Sequence, residues 1–81
     1  MGKLRILSPR GDTMVQWDRK AVETGDPEAL AAIKEAERIF REERARGATA
    51  FKVETGKPAR KIEEFDETAE QIVIVPRIAG G

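Results

Sequence analysis

Between Asp26 and Gly47 the chain carries its only run with sustained helical periodicity, and everything else must be arranged around that element. Asp26-Pro27-Glu28 is a helix start: an acid that can cap free amides, a proline suited to the first helical position, and a carboxylate at the positive end of the dipole. Ala29, Ile33, Ala36 and Phe40 fall on one narrow stripe, widened by Leu30, Ala32 and Ile39. The opposite face is charged, with Glu37/Arg41 and Glu42/Arg46 spaced for i,i+4 pairing. Gly47 is placed to end the helix near Arg46 in a left-handed conformation. Arginines on such a face are expected to be solvated. Glu35, Glu37, Glu42 and Glu43 interleave with Arg38, Arg41, Arg44 and Arg46, so no phosphate-tracking stripe forms and no nucleic-acid partner is expected.

One helix with one apolar stripe needs a sheet to cover. Leu4 and Ile6 alternate with charged residues in 3–7, and Thr13, Val15 and Trp17 alternate in 13–17. Ser8-Pro9-Arg10-Gly11-Asp12 between them is a turn, so the pair reads as an antiparallel hairpin with Trp17 as a core anchor. Residues 18–25 are polar and read as a loop. Ala48–Val53 is a third strand with Phe51 and Val53 inward, and Arg60–Phe65 a fourth with Ile62 inward. Gly56-Lys57-Pro58 lacks the leading glycine, the hydroxyl residue and the following helix of a phosphate loop. Glu63, Glu64, Asp66, Glu67 and Glu70 form an acidic cluster, read as a solvated loop rather than a metal or acid–base site. Ile72–Val75 is the most β-prone run. Without polar alternation it reads as a central strand buried on both sides, beside the first strand, and Pro76 ends its pairing. The fold class is therefore α+β: a mixed four- to five-stranded sheet with one helix packed across one face.

Composition narrows function mainly by exclusion. Eighty-one residues make one domain. There is no cysteine and no histidine, which removes disulfides, thiolate metal sites and the commonest general acid–base. A stand-alone enzyme would have only Lys and carboxylates to work with, so no catalytic residue, cofactor or metal ligand is assigned. Lys plus Arg and Asp plus Glu both number 15, which leaves no net field to steer an anionic partner. No apolar run approaches a membrane span and the N-terminus lacks a signal-peptide core, so a soluble cytoplasmic protein without membrane partners is expected. Charged residues make up 37% of the chain and asparagine is missing, the tendency of thermophilic proteins.

The order strand, strand, helix, strand, strand, strand resembles the ubiquitin-like β-grasp family. The tail Val75-Pro76-Arg77-Ile78-Ala79-Gly80-Gly81 is most similar to the sulfur-carrier branch, that of the small subunit of molybdopterin synthase and the thiamine-pathway carrier. The resemblance implies a β-grasp domain over residues 1–76 and a flexible diglycine tail over 77–81. It implies a carrier or protein modifier, monomeric or weakly oligomeric when free, whose Gly81 carboxylate is activated by an ATP-dependent adenylating enzyme. The carboxylate would then be thiocarboxylated or conjugated to an acceptor protein, or handed to a cofactor-synthesis enzyme. Pro76, Arg77, Ile78, Ala79 and Gly80 would be read by the activating enzyme, with glycine permitting close backbone approach. The competing expectation is a small structural or interaction protein, such as a phage or virion accessory subunit, with an incidental Gly-Gly end.

Overall fold

The computed structural model describes residues 2–7 and 11–77. Among them lie five strands and two helices: β1 (Gly2–Ile6), β2 (Thr13–Trp17), α1 (Arg19–Glu23), α2 (Pro27–Ala45), β3 (Thr49–Val53), β4 (Arg60–Ile62) and β5 (Gln71–Val75). The strands form one mixed sheet in the order β2-β1-β5-β3-β4. The β1–β2 pair is antiparallel, β5 runs parallel to β1 and antiparallel to β3, and β3–β4 is antiparallel. The expected central position of the final strand beside the first is observed. The architecture is a small α+β domain with a helix across one sheet face.

That helix is α2. Its Ala29, Ile33, Ala36 and Phe40 are buried, the stripe set by their spacing. They close over Leu4, Trp17, Ala48, Ala50, Ala69, Ile72 and Ile74, and this cluster is the core. Ala36 and Ala50 are both fully buried, one on the helix and one on the sheet beneath it. Three rings seal one end: Phe65 lies 5.8 Å from Trp17 and 5.8 Å from Phe40, in tilted and edge-on geometries. Gly2 leaves room for Trp17: a Cβ there would stand 2.2 Å from the indole Nε1, so the ring would have to shift.

Four local expectations are corrected. Residues 18–25 contain α1 rather than only loop; the Asp18 carboxylate accepts from the amides of Lys20 (2.9 Å) and Ala21 (3.3 Å) and starts it. Asp26 makes no side-chain cap on α2; its carbonyl accepts the first helical bond, from Leu30 N at 3.0 Å. The fourth strand stops at Ile62, and Phe65 leaves the sheet to join the ring cluster. In β3 it is Ala50 and Lys52 that share the helix-covered side with Ile74 and Ile72, which turns Phe51 and Val53 to the other face. Gly47 behaves as expected: its φ of 93° closes α2, with its amide donating to Arg44 O at 3.0 Å. No helix among the described residues is long and apolar enough to cross a membrane.

Candidate functional site

The site begins where β5 ends. Val75 makes the last pair, with Thr49, and Pro76 follows with no amide hydrogen to extend the ladder. Pro76 is half-buried and Arg77 is exposed. The Arg77 side chain crosses the end of α2: a Cβ on Gly47 would stand 3.1 Å from Arg77 Cδ. A cation there sits at the negative pole of the helix dipole. The chain thus leaves the sheet beside the C-terminal end of α2. Of the other residues expected to form the tail site, Ile78, Ala79, Gly80 and Gly81 lie outside the described residues.

The second component is the sheet face that α2 does not cover. Strand registers line up Lys61, Phe51, Val73, Arg5 and Met14 across all five strands. Thr49 and Val75 pair on one side of that row, and Val53, Gln71, Lys3 and Gln16 on the other. Phe51, Val53 and Val73 are only half-buried, while Val75 is 39% and Met14 48% exposed. Val73 and Val75 correct the expectation that β5 is buried on both sides. The strands contribute Lys3, Arg5 and Lys61 to this face and no carboxylate. Arg5 is bound by Asp12 from the hairpin loop, its Nε donating to Oδ2 at 2.7 Å. An apolar strip with a basic border suits an apolar partner carrying acidic residues at its rim.

The acidic residues collect elsewhere. Glu37, Glu63, Glu64 and Glu67 border an open hollow beside Ile62 and Phe65. Two members of the sequence cluster are structural. The Asp66 carboxylate takes Thr68 Oγ1 at 2.6 Å and the Lys52 ammonium at 3.0 Å. The Thr68 hydroxyl holds the Asp66 carboxyl below its ordinary range against the opposing effect of burial, and the Lys52 ammonium adds to the lowering. Glu70 accepts from Thr55 N at 3.1 Å and Thr55 Oγ1 at 2.9 Å, which lowers its pKa and ties the β3–β4 loop to the start of β5. Among the described residues no three His, Cys, Asp or Glu side chains converge to hold a metal ion. On the outer face of α2, Arg38 is bound by Glu35 and by Glu42 at 2.8 Å, and Arg41 by Glu37 at 3.4 Å.

The residues missed from sequence are therefore Phe51 and Val53 as surface and Lys52 as a partner of Asp66. The strict alternation of Thr49–Val53 carried the signal, since moving Phe51 outward forces Lys52 inward. Comparison of the chain with protein-family models, curated proteins and solved structures finds no match.

Proposed function

We propose that this chain is a ubiquitin-like β-grasp carrier or modifier, acted upon by an ATP-dependent activating enzyme rather than catalytic itself. The observation that carries the proposal is the sheet order β2-β1-β5-β3-β4 with α2 on one face and an apolar, basic-bordered strip on the other. That order, with the helix between the second and third strands, is what a β-grasp domain requires. The uncovered strip supplies a docking surface that ends at Val75, where the tail departs.

In this function the domain docks and the Gly81 carboxylate reacts. A carboxylate is a poor electrophile. Its oxygen attacks the α-phosphorus of ATP, pyrophosphate leaves, and a mixed anhydride with AMP forms. A sulfur nucleophile then displaces AMP on the way to a thiocarboxylate, or an acceptor amine displaces it to give an amide. Pro76 keeps the departing chain out of the sheet, and Arg77 lies against Gly47 at the exit. The energy for adenylation comes from ATP, so the domain needs no acid, base or metal of its own.

The test is intact-mass measurement after incubation with ATP and candidate activating enzymes. The expected result is an AMP adduct, or exchange of one carboxylate oxygen for sulfur, lost when Gly81 is deleted and reduced when Phe51 is replaced by Ser. An unchanged mass with every candidate enzyme of the same cell sinks the proposal.

A further inference from the structure

The two edges of the sheet are protected very differently. At one edge, β4 is three residues long, Arg60-Lys61-Ile62, and follows Pro58. Short length, cationic side chains and a nearby proline are the usual devices against edge-to-edge pairing. At the other edge, β2 is five residues long, Thr13-Met14-Val15-Gln16-Trp17, with no charge in a chain that is 37% charged. Thr13, Met14 and Gln16 are exposed.

The hydrogen-bond alternation identifies the backbone groups of β2 that pair with none of the described residues. Lys3 N donates to Glu70 O at 3.1 Å and Leu7 N to Ile74 O at 3.0 Å, so the odd residues of β1 face β5. Gly2, Leu4 and Ile6 therefore face β2 and bond to their register partners Trp17, Val15 and Thr13. The amide and carbonyl of Met14 and Gln16 are left pointing out of the sheet. Their side chains lie along their own strand, Gln16 Nε2 against Met14 Sδ at 3.1 Å.

We propose that this edge pairs with the β2 strand of a second copy of the chain, antiparallel about a two-fold axis at Val15. In that register Met14 faces Gln16 of the second copy and the reverse, so every outward group is used in a ladder of about four hydrogen bonds. Neutral residues meet neutral residues, whereas a charged peptide would find no opposite charge on β2. The chain carries 15 cationic and 15 anionic side chains, so two copies approach without net repulsion. Moving the axis to Met14 sets Asp12 against Gln16, and moving it to Gln16 sets Met14 against Asp18, so only the Val15 axis keeps carboxylates out of the ladder. Just beyond the ladder Asp12 would meet Asp18. Asp12 is bound to Arg5 and Asp18 to the amides of α1, which keeps the interface short and the dimer weak. The product is one continuous sheet whose two open faces lie side by side.

The chain has no cysteine, so introduced thiols report without background. A mixture of Met14→Cys and Gln16→Cys proteins places a pair about 5.5 Å apart between Cα atoms, within disulfide reach. The mixed disulfide should form at least about tenfold faster than Lys61→Cys forms with itself at the other edge. In sedimentation, the wild-type mass should rise with concentration from 9.0 kDa toward twice that value. Gln16→Pro removes an outward amide while sparing the inner ladder, and should abolish the rise with an unchanged circular dichroism spectrum. If that variant unfolds, Met14→Lys blocks the edge by charge instead. A mass fixed at one copy up to millimolar concentration overturns the proposal. So do cross-linking no faster than at Lys61, dimers that survive both edge variants, or an extended peptide binding the edge of a chain that stays monomeric. No ATP or activating enzyme enters these measurements, so their outcome is separate from that of the carrier chemistry.

Discussion

On the helix-covered side of β5, Ile72 and Ile74 are fully buried; on the opposite side Val73 is half-buried and Val75 is 39% exposed. The four residues are successive and almost equally apolar, so hydrophobicity did not sort them. Their neighbours did. The covered side receives α2, which buries Ala36 and Ala50 completely, and the rings of Trp17, Phe40 and Phe65 meet there. Among the described residues no helix covers the open side, and its apolar residues are bordered by Lys3, Arg5 and Lys61. One side of the sheet buries the core; the other keeps apolar residues half-buried or exposed.

The largest expected effect lies on the covered side. Trp17→Ala should cost about 3–5 kcal/mol, enough to leave a domain of this size largely unfolded. Ile72→Ala should cost about 2–5 kcal/mol, and Val73→Ala, one residue away, about 1 kcal/mol or less. Denaturant midpoints for this adjacent pair measure the asymmetry directly, and equal losses would break it. Gly2→Ala should destabilise by about 1–3 kcal/mol through overpacking against the Trp17 indole. Phe51→Ser should lower stability by only about 1 kcal/mol while weakening partner docking about tenfold or more. A titration of binding against unfolding separates the two losses, and loss of fold without loss of binding would reverse the roles given to the two faces.

The smallest effect is one of pH. The folded-state pKa of Asp66 is lowered, by Thr68 first and Lys52 after it. Its contribution to stability is therefore complete above the unfolded-state value of about 4 and disappears as pH falls through the lower folded value. Asp66→Asn should flatten that part of the acid-unfolding curve and leave stability near neutral pH slightly reduced. A curve unchanged by the substitution would separate the covered side from its Lys52–Asp66 tie.

The helix, the hairpin pairing and the central place of β5 were readable because each rests on local pattern: a 3.6-residue stripe, period-two alternation, and a proline that stops pairing. The facing of β3 was not. A rule that sends the largest apolar residue inward favours Phe51, but the register of β3 with β5 puts Ala50 beside Ile74 on the covered side, where it is fully buried. Lys52 is tolerated on the same side because Asp66 reaches it. Similarly, Ile72–Val75 has no polar residue to mark an outer face, so its one-sidedness becomes visible only when the covering layers are counted. Helix α1 was signalled by Asp18, but the polarity of residues 18–25 masked it. Of the tail site, Pro76 and Arg77 have positions in the fold, and Arg77 packing on Gly47 has no counterpart in any sequence motif.

The parallel pairing of β1 with β5 has a consequence for biosynthesis. The strand in the middle of the sheet is the last of the five to be made, after both of its neighbours, β1 and β3. Before β5 is in place the chain can hold a hairpin, a helix and a second strand pair, but between them stays an empty slot whose amides and carbonyls have only water as partner. Closing that slot requires contacts nearly the full length of the chain apart, which makes it the slow event. Until β5 is inserted, the young protein is an incomplete sheet exposed to capture by chaperones or by its own neighbours.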